Sequence, residues 1–86
     1  MFCLYILRSK KDRKLYVGQT NNLEERLKRH NSGEVQATRN RRPLVLIHNE
    51  SYRTRSEAFK REQFLKSLWG GREKKKILKR HLEKVE

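Results

Sequence analysis

Eighty-six residues with 23 Lys and Arg against 10 Asp and Glu, a formal charge of +13 and only 34% hydrophobic residues, leave room for one small domain with a modest core. A chain of this size buries roughly 60–65% of its unfolded surface, which excludes a second core and a large enclosed pocket, so an active site has to be shallow. The longest apolar run, Met1 to Leu7, is far shorter than the ~20 residues that cross a bilayer and no basic segment precedes it, which leads to the expectation of a cytoplasmic protein without membrane contact. The single Cys3 forms no internal disulfide, and no Cys/His spacing resembles a zinc site. The charge is spread over the chain, +7 in residues 1–43 and +6 in residues 44–86. Such an excess attracts polyanions, with nucleic acid as the leading partner and a solvated surface as the plainer explanation.

Phe2 to Leu7 and Lys14 to Gly18 read as strands, with the polar turn Lys10–Arg13 between them. Closing that turn as a hairpin sets Tyr5 opposite Gly18 and Leu7 opposite Tyr16, so both phenols leave the same sheet face. Ordinary strand packing accounts for two tyrosines equally well. Asn21 with Glu24 has the spacing of a capping box, and Leu23, Leu27 and His30 continue at helical spacing to a stop at Gly33. Arg26 falls beside His30 on that helix, one turn earlier. Each is compatible with a structural as well as a chemical role.

Thr38-Arg39-Asn40-Arg41-Arg42 forms a basic loop closed by Pro43 and suited to phosphate contacts. Leu44–Ile47 is a continuously apolar run that predicts a strand buried on both faces or central in the sheet. A second capping box, Thr54 with Glu57, opens a helix expected to run through Ala58, Phe59, Leu65, Leu68 and Trp69 to Gly70-Gly71. On it Glu62 falls on or beside the apolar face, which admits two readings: an intrahelical pair with Lys66 or a metal ligand. Arg72 to Glu86 is expected to form a third, strongly basic helix carrying Ile77, Leu78, His81, Leu82 and Val85 at helical spacing, with Lys74, Lys75 and Lys76 as further candidates for nucleic-acid contact.

In order and spacing these residues resemble the GIY-YIG nuclease superfamily, in particular its small single-domain members, over nearly the whole chain. Cys3-Leu4-Tyr5 stands where that family has Gly-Ile-Tyr, and Tyr16-Val17-Gly18 where it has Tyr-Ile-Gly. Asn22 to Leu27 is similar to the helix bearing the family's catalytic arginine, His30 matches a histidine used by homing and restriction members, and Ser56 to Glu62 is similar to the segment with the metal-binding glutamate. The resemblance implies a single nuclease domain over residues 1–86. Its fold would be α+β, a three-stranded antiparallel sheet built from the hairpin plus residues 44 to 48, with about three helices around it.

The resemblance implies Tyr5, Tyr16, Arg26, His30 and Glu62 as catalytic residues, with Glu62 holding one Mg²⁺ or Mn²⁺ per site. Phosphodiester hydrolysis needs an aligned water, a proton acceptor and positive charge on the phosphate. Arg26 would lie on the phosphate, either tyrosine could align the water, and His30 could accept a phenolic proton. Arg39, Arg41, Arg42, Lys74, Lys75 and Lys76 would hold the DNA backbone. The expected activity is a metal-dependent DNA endonuclease of low sequence specificity, with damaged or branched DNA and a place in DNA repair among its settings. The expected state is a monomer or weak homodimer. The alternative is a nuclease-derived module that binds DNA or RNA without cutting.

Overall fold

The computed structural model describes residues 1–84. Strand β1 (Phe2–Ser9) occupies the middle of an antiparallel sheet, flanked by β2 (Leu15–Thr20) on one side and β3 (Leu44–Tyr52) on the other. Because side chains alternate along a strand, β1 supplies both halves of the core. Leu4 and Ile6 join Val17, Leu65 and Ile77 on one face, while Tyr5 and Leu7 join Leu44 on the other. Burial of both faces explains why β1 is continuously apolar. The hairpin register is the expected one, with Tyr5 opposite Gly18 and Leu7 opposite Tyr16.

Helix α1 (Leu23–Asn31) covers the tyrosine face with Leu23 and Leu27. The opposite face is covered by α2 (Arg55–Lys66) and α3 (Gly71–Lys84) through Leu65 and Ile77. Val85, which the helical spacing included, lies outside the described residues. The α+β class, the three-stranded antiparallel sheet and the three helices agree with the expectation from sequence.

Three local expectations are corrected. The apolar run 44–47 starts an edge strand, not a central one, and the strand continues to Tyr52 with a register shift opposite Ile6 and Leu7. Its polar end is held by Glu50, which accepts Arg61 Nε and Nη2 at 2.9 and 3.1 Å and His48 Nε2 at 2.8 Å, and is also bonded by the Tyr52 hydroxyl. Burial opposes ionisation of that carboxyl, but these donors outweigh it and hold Glu50 at about 2, while burial and Glu50 together push Tyr52 up to about 12.

The first helix is capped by Asn22, one residue later than expected: Asn22 Oδ1 accepts from Glu25 N–H at 3.2 Å, the Glu25 carboxylate accepts from Asn22 Nδ2 at 3.4 Å, and the Asn22 N–H goes to Thr20 Oγ1 at 3.1 Å instead of closing a capping box. The second helix stops at Lys66, where Ser67 turns extended and its N–H and Oγ bond Phe64 O at 3.1 and 2.6 Å. Leu68–Gly70 follows as a 3₁₀ turn that leaves Leu68 98% and Trp69 84% exposed, outside the core that helical spacing assigned to them. Gly70 is the physical reason. A Cβ there would meet Phe64 O at 2.2 Å and Leu65 Cα at 2.5 Å, so only glycine lets the chain fold back on α2 and start α3 across the sheet.

Candidate active site

Helical spacing brings Arg26 and His30 to the side of α1 that faces the sheet, directly over Tyr5. His30 Nε2 lies 2.9 Å from Tyr5 Oη, and Arg26 Nε donates to the same oxygen at 3.3 Å. Tyr16 closes the cluster. Its ring centroid is 6.4 Å from that of Tyr5 and 5.1 Å from that of His30, in an edge-on arrangement with the imidazole. Gly18 makes this possible, since the Tyr5 phenol occupies the space a side chain would need: a Cβ at Gly18 would sit 2.5 Å from Tyr5 Oη.

Burial divides the cluster. Tyr5 and His30 have no exposed surface, whereas Tyr16 and Arg26 are part-exposed and able to meet a substrate. Burial, followed by the charges of Arg26 and Arg29, lowers His30 to about 4, so the imidazole is neutral at pH 7. Burial also pushes the Tyr5 hydroxyl up against the opposing hydrogen bond from Arg26. The bond to Tyr5 raises Arg26 above its ordinary value and keeps it cationic.

Glu62 approaches from the other side of the sheet, on α2, and reaches the edge strand at Gln19, next to Gly18. Its Oε1 accepts Gln19 Nε2 at 3.3 Å, its Oε2 pairs with Lys66 Nζ at 2.7 Å, and only 12% of the side chain is exposed. Both readings of this residue are therefore compatible with its surroundings: the intrahelical pair is formed, and the charge of the carboxylate adds slightly to the upward push on the Tyr5 hydroxyl. Among the described residues no group of three or more His, Cys, Asp and Glu gathers to cage an ion. A single carboxylate with waters and substrate phosphate is nevertheless an ordinary donor set for Mg²⁺, so Glu62 fits an ion that arrives with its substrate.

Over the full length of the cluster the sequence matches the GIY-YIG catalytic domain, residues 1–83. The chain belongs to the GIY-YIG catalytic domain family. It is 46% identical over 66 residues to a UPF0213 protein of Clostridium perfringens, covering 76% of this chain and 70% of that protein. A UPF0213 protein of Syntrophus aciditrophicus is 39% identical over 84 residues, 95% of this chain and 94% of that one. The fold is similar to the solution NMR structure of a UPF0213 protein from Bacillus halodurans, with a TM-score of 0.54 and 31% identity over 92% of this chain and 84% of that chain.

In this GIY-YIG domain the exposed side of Arg26 opens into a polar cleft of about 350 Å³, where Gln19, Asn22, Arg29 and Arg55 join it. Arg29 and Arg55 were not singled out from sequence. Arg29 lies three residues after Arg26, a spacing that could have shown it; Arg55 arrives from α2 by tertiary packing and has no local signal. With the Glu25 carboxylate also on its wall, the cleft sets three guanidinium groups against one carboxylate, a net positive charge that attracts a phosphodiester.

The other basic candidates stand apart from the cleft. Arg41 is tied to Asp12 at 2.9 Å, and Arg42 Nε donates to Arg39 O at 2.9 Å; Arg39 and Arg42 line a separate shallow depression with Lys11. Lys74, Lys75 and Lys76 belong to α3, on the sheet face opposite α1. No helix among the described residues is long and apolar enough to cross a membrane.

Proposed function

We propose that this single domain is a divalent-metal-dependent endonuclease that hydrolyses DNA phosphodiester bonds with low sequence specificity, damaged or branched DNA included. The observation that carries the reading is the placement of Arg26. Its Nε is anchored on a buried phenol while its remaining guanidinium edge faces a cleft containing Arg29 and Arg55. A phosphate entering that cleft meets preorganised positive charge where negative charge develops during hydrolysis.

The division of burial assigns the roles. Tyr16, part-exposed beside Arg26, is the phenol that reaches the attacking water, and its oxygen aligns that water, whose proton passes to solvent. Hydroxide adds to phosphorus, the bond to the 3′ oxygen breaks with its electron pair on that oxygen, and solvent supplies the proton that completes the leaving group. Tyr5 is fully enclosed and acts through Arg26, holding the guanidinium in place with His30 behind it. Glu62 would hold Mg²⁺ or Mn²⁺, which supplies charge stabilisation on the phosphate and leaving oxygen when bound. Arg39, Arg42 and the α3 lysines are available for contacts further along the backbone.

One observation favours a binding module instead: both oxygens of Glu62 are already engaged, by Gln19 and Lys66. Glu62→Gln decides between the readings. As a metal anchor it loses Mg²⁺-dependent nicking of supercoiled plasmid by orders of magnitude while DNA affinity persists or tightens. As half of a pair with Lys66 it changes stability by only about 0.3–0.5 kcal/mol and leaves nicking almost intact. Near-wild-type nicking by this variant removes the metal assignment, and absence of nicking in the wild-type chain with Mg²⁺ or Mn²⁺ removes the enzyme.

A further inference from the structure

Behind Arg26 the interior holds an unbroken polar chain. Arg26 Nε is 3.3 Å from Tyr5 Oη, Tyr5 Oη is 2.9 Å from His30 Nε2, and His30 Nδ1 is 2.7 Å from Thr38 Oγ1. Tyr5, His30 and Thr38 are all fully buried. Thr38 lies between α1 and β3 and is fixed through its backbone, its N–H donating to Val35 O at 3.1 Å and its carbonyl accepting from Arg41 N–H at 2.9 Å. Its hydroxyl meets no partner except His30 among the described residues.

Counting hydrogens gives these bonds a direction. Arg26, Tyr5, neutral His30 and Thr38 each bring one polar hydrogen to a chain of three bonds, so one hydrogen is left over. Arg26 has no lone pair and can only donate, which makes Tyr5 Oη an acceptor at that end. If Thr38 donated to Nδ1, then Nε2–H would also point at Tyr5 Oη. The phenol proton would be left without an acceptor, enclosed beside a guanidinium, and an unpaired buried donor is costly. If instead Tyr5 donates to Nε2 and Nδ1–H donates to Thr38, each bond polarises the next. The spare hydrogen then belongs to the Thr38 hydroxyl, also buried and without an acceptor but at the far end of the chain from the Arg26 guanidinium, so the cooperative order is the favoured one.

We infer that Thr38 is a positioning residue for the cleavage reaction: as acceptor of His30 Nδ1–H it holds the imidazole in the tautomer whose Nε2 lone pair faces Tyr5, and so keeps a Tyr5 lone pair on Arg26. The tautomer it selects is the one a free neutral imidazole populates less. Without the hydroxyl one buried hydrogen is unpaired in either tautomer, Nδ1–H or the phenol's, so the intrinsic preference of the imidazole decides and the proton moves to Nε2, where it meets Tyr5 Oη. Tyr5 then receives two donors, and its hold on Arg26 weakens. The kinetic part of this inference rests on the nuclease reading; the proton order does not.

The test uses the whole chain, ¹⁵N-labelled, at pH 7, with Thr38→Val and Thr38→Ser. Long-range ¹H–¹⁵N correlation of the His30 ring is expected to show a protonated Nδ1 and a bare Nε2 in the wild type and in Thr38→Ser, and the reverse in Thr38→Val. Plasmid nicking by Thr38→Val is expected to lose about 10- to 100-fold in kcat with KM unchanged, the range of supporting-shell substitutions, with rescue by Thr38→Ser. A wild-type ring protonated on Nε2 overturns the inference, whether or not Thr38→Val folds. So does a folded Thr38→Val that keeps the wild-type tautomer and kcat. If the predicted tautomer switch occurs but the wild type cuts no nucleic acid, the proton order stands and the nuclease reading falls.

Discussion

A methyl group at Gly18 tests whether the phenol of Tyr5 is as closely held as its contacts indicate. In Gly18→Ala the new Cβ would sit 2.5 Å from Tyr5 Oη and 2.6 Å from Cζ, whereas ordinary contact begins at 3.4 Å, so about 0.9 Å of movement is required. Tyr5 has no free space to supply it. Its ring is fully buried with the rings of Tyr16 and His30 at 6.4 and 5.6 Å, and its oxygen is bonded at 2.9 Å to His30 and 3.3 Å to Arg26. Overpacking of this kind costs about 1–3 kcal/mol. In a domain of this size each kcal/mol lowers Tm by about 4–8 °C. The displacement also carries Tyr5 away from Arg26, and a misplacement of about 1 Å can cost roughly a hundredfold in rate. Thermal unfolding followed by circular dichroism and Mg²⁺-dependent plasmid nicking measure the two effects. Gly71→Ala is the control, since nothing lies within 4 Å of a Cβ at that position and it begins α3. Wild-type Tm and nicking in Gly18→Ala, or an equal loss in Gly71→Ala, would refute the argument.

Stability is expected to fall on mild acidification, because the unfolded chain protonates His30 near 6.5 while the folded protein resists until about 4, so unfolding takes up a proton in that window. Urea midpoints measured from pH 7 to 4 check this, and a flat profile contradicts it. Further acidification, from about pH 4.5 towards about 2, removes the stabilisation from Glu50, whose folded carboxyl is held below its unfolded value; Glu50→Gln should lose that lower limb of the profile. Trp69→Ala should change unfolding free energy by no more than about 0.5 kcal/mol, since the indole is 84% exposed, and a large loss would show that it packs in the core. Affinity for DNA should fall steeply with salt in a binding titration, as expected where Arg26, Arg29 and Arg55 contact phosphate; salt-independent binding would exclude a backbone-directed cleft.

Those features that depend on neighbours along the chain were legible in the amino-acid order. A hairpin turn of fixed length sets its own register, which placed Tyr5 opposite Gly18 and both phenols on one face. Helical spacing likewise put Arg26 and His30 on one side of α1, and capping chemistry located two helix starts to within a residue. Periodicity says which face a residue occupies and not what that face meets. Only the packing of α1 and α2 against opposite faces of the sheet made Tyr5 an enclosed support while leaving Tyr16 and Arg26 accessible, and brought Glu62 round the edge strand to Gln19. Arg55 joined the cleft, Thr38 met His30, and Trp69 was turned out to solvent for the same kind of reason: each outcome depends on where a connection travels in space, through contacts between residues whose separation along the chain carries no local signal.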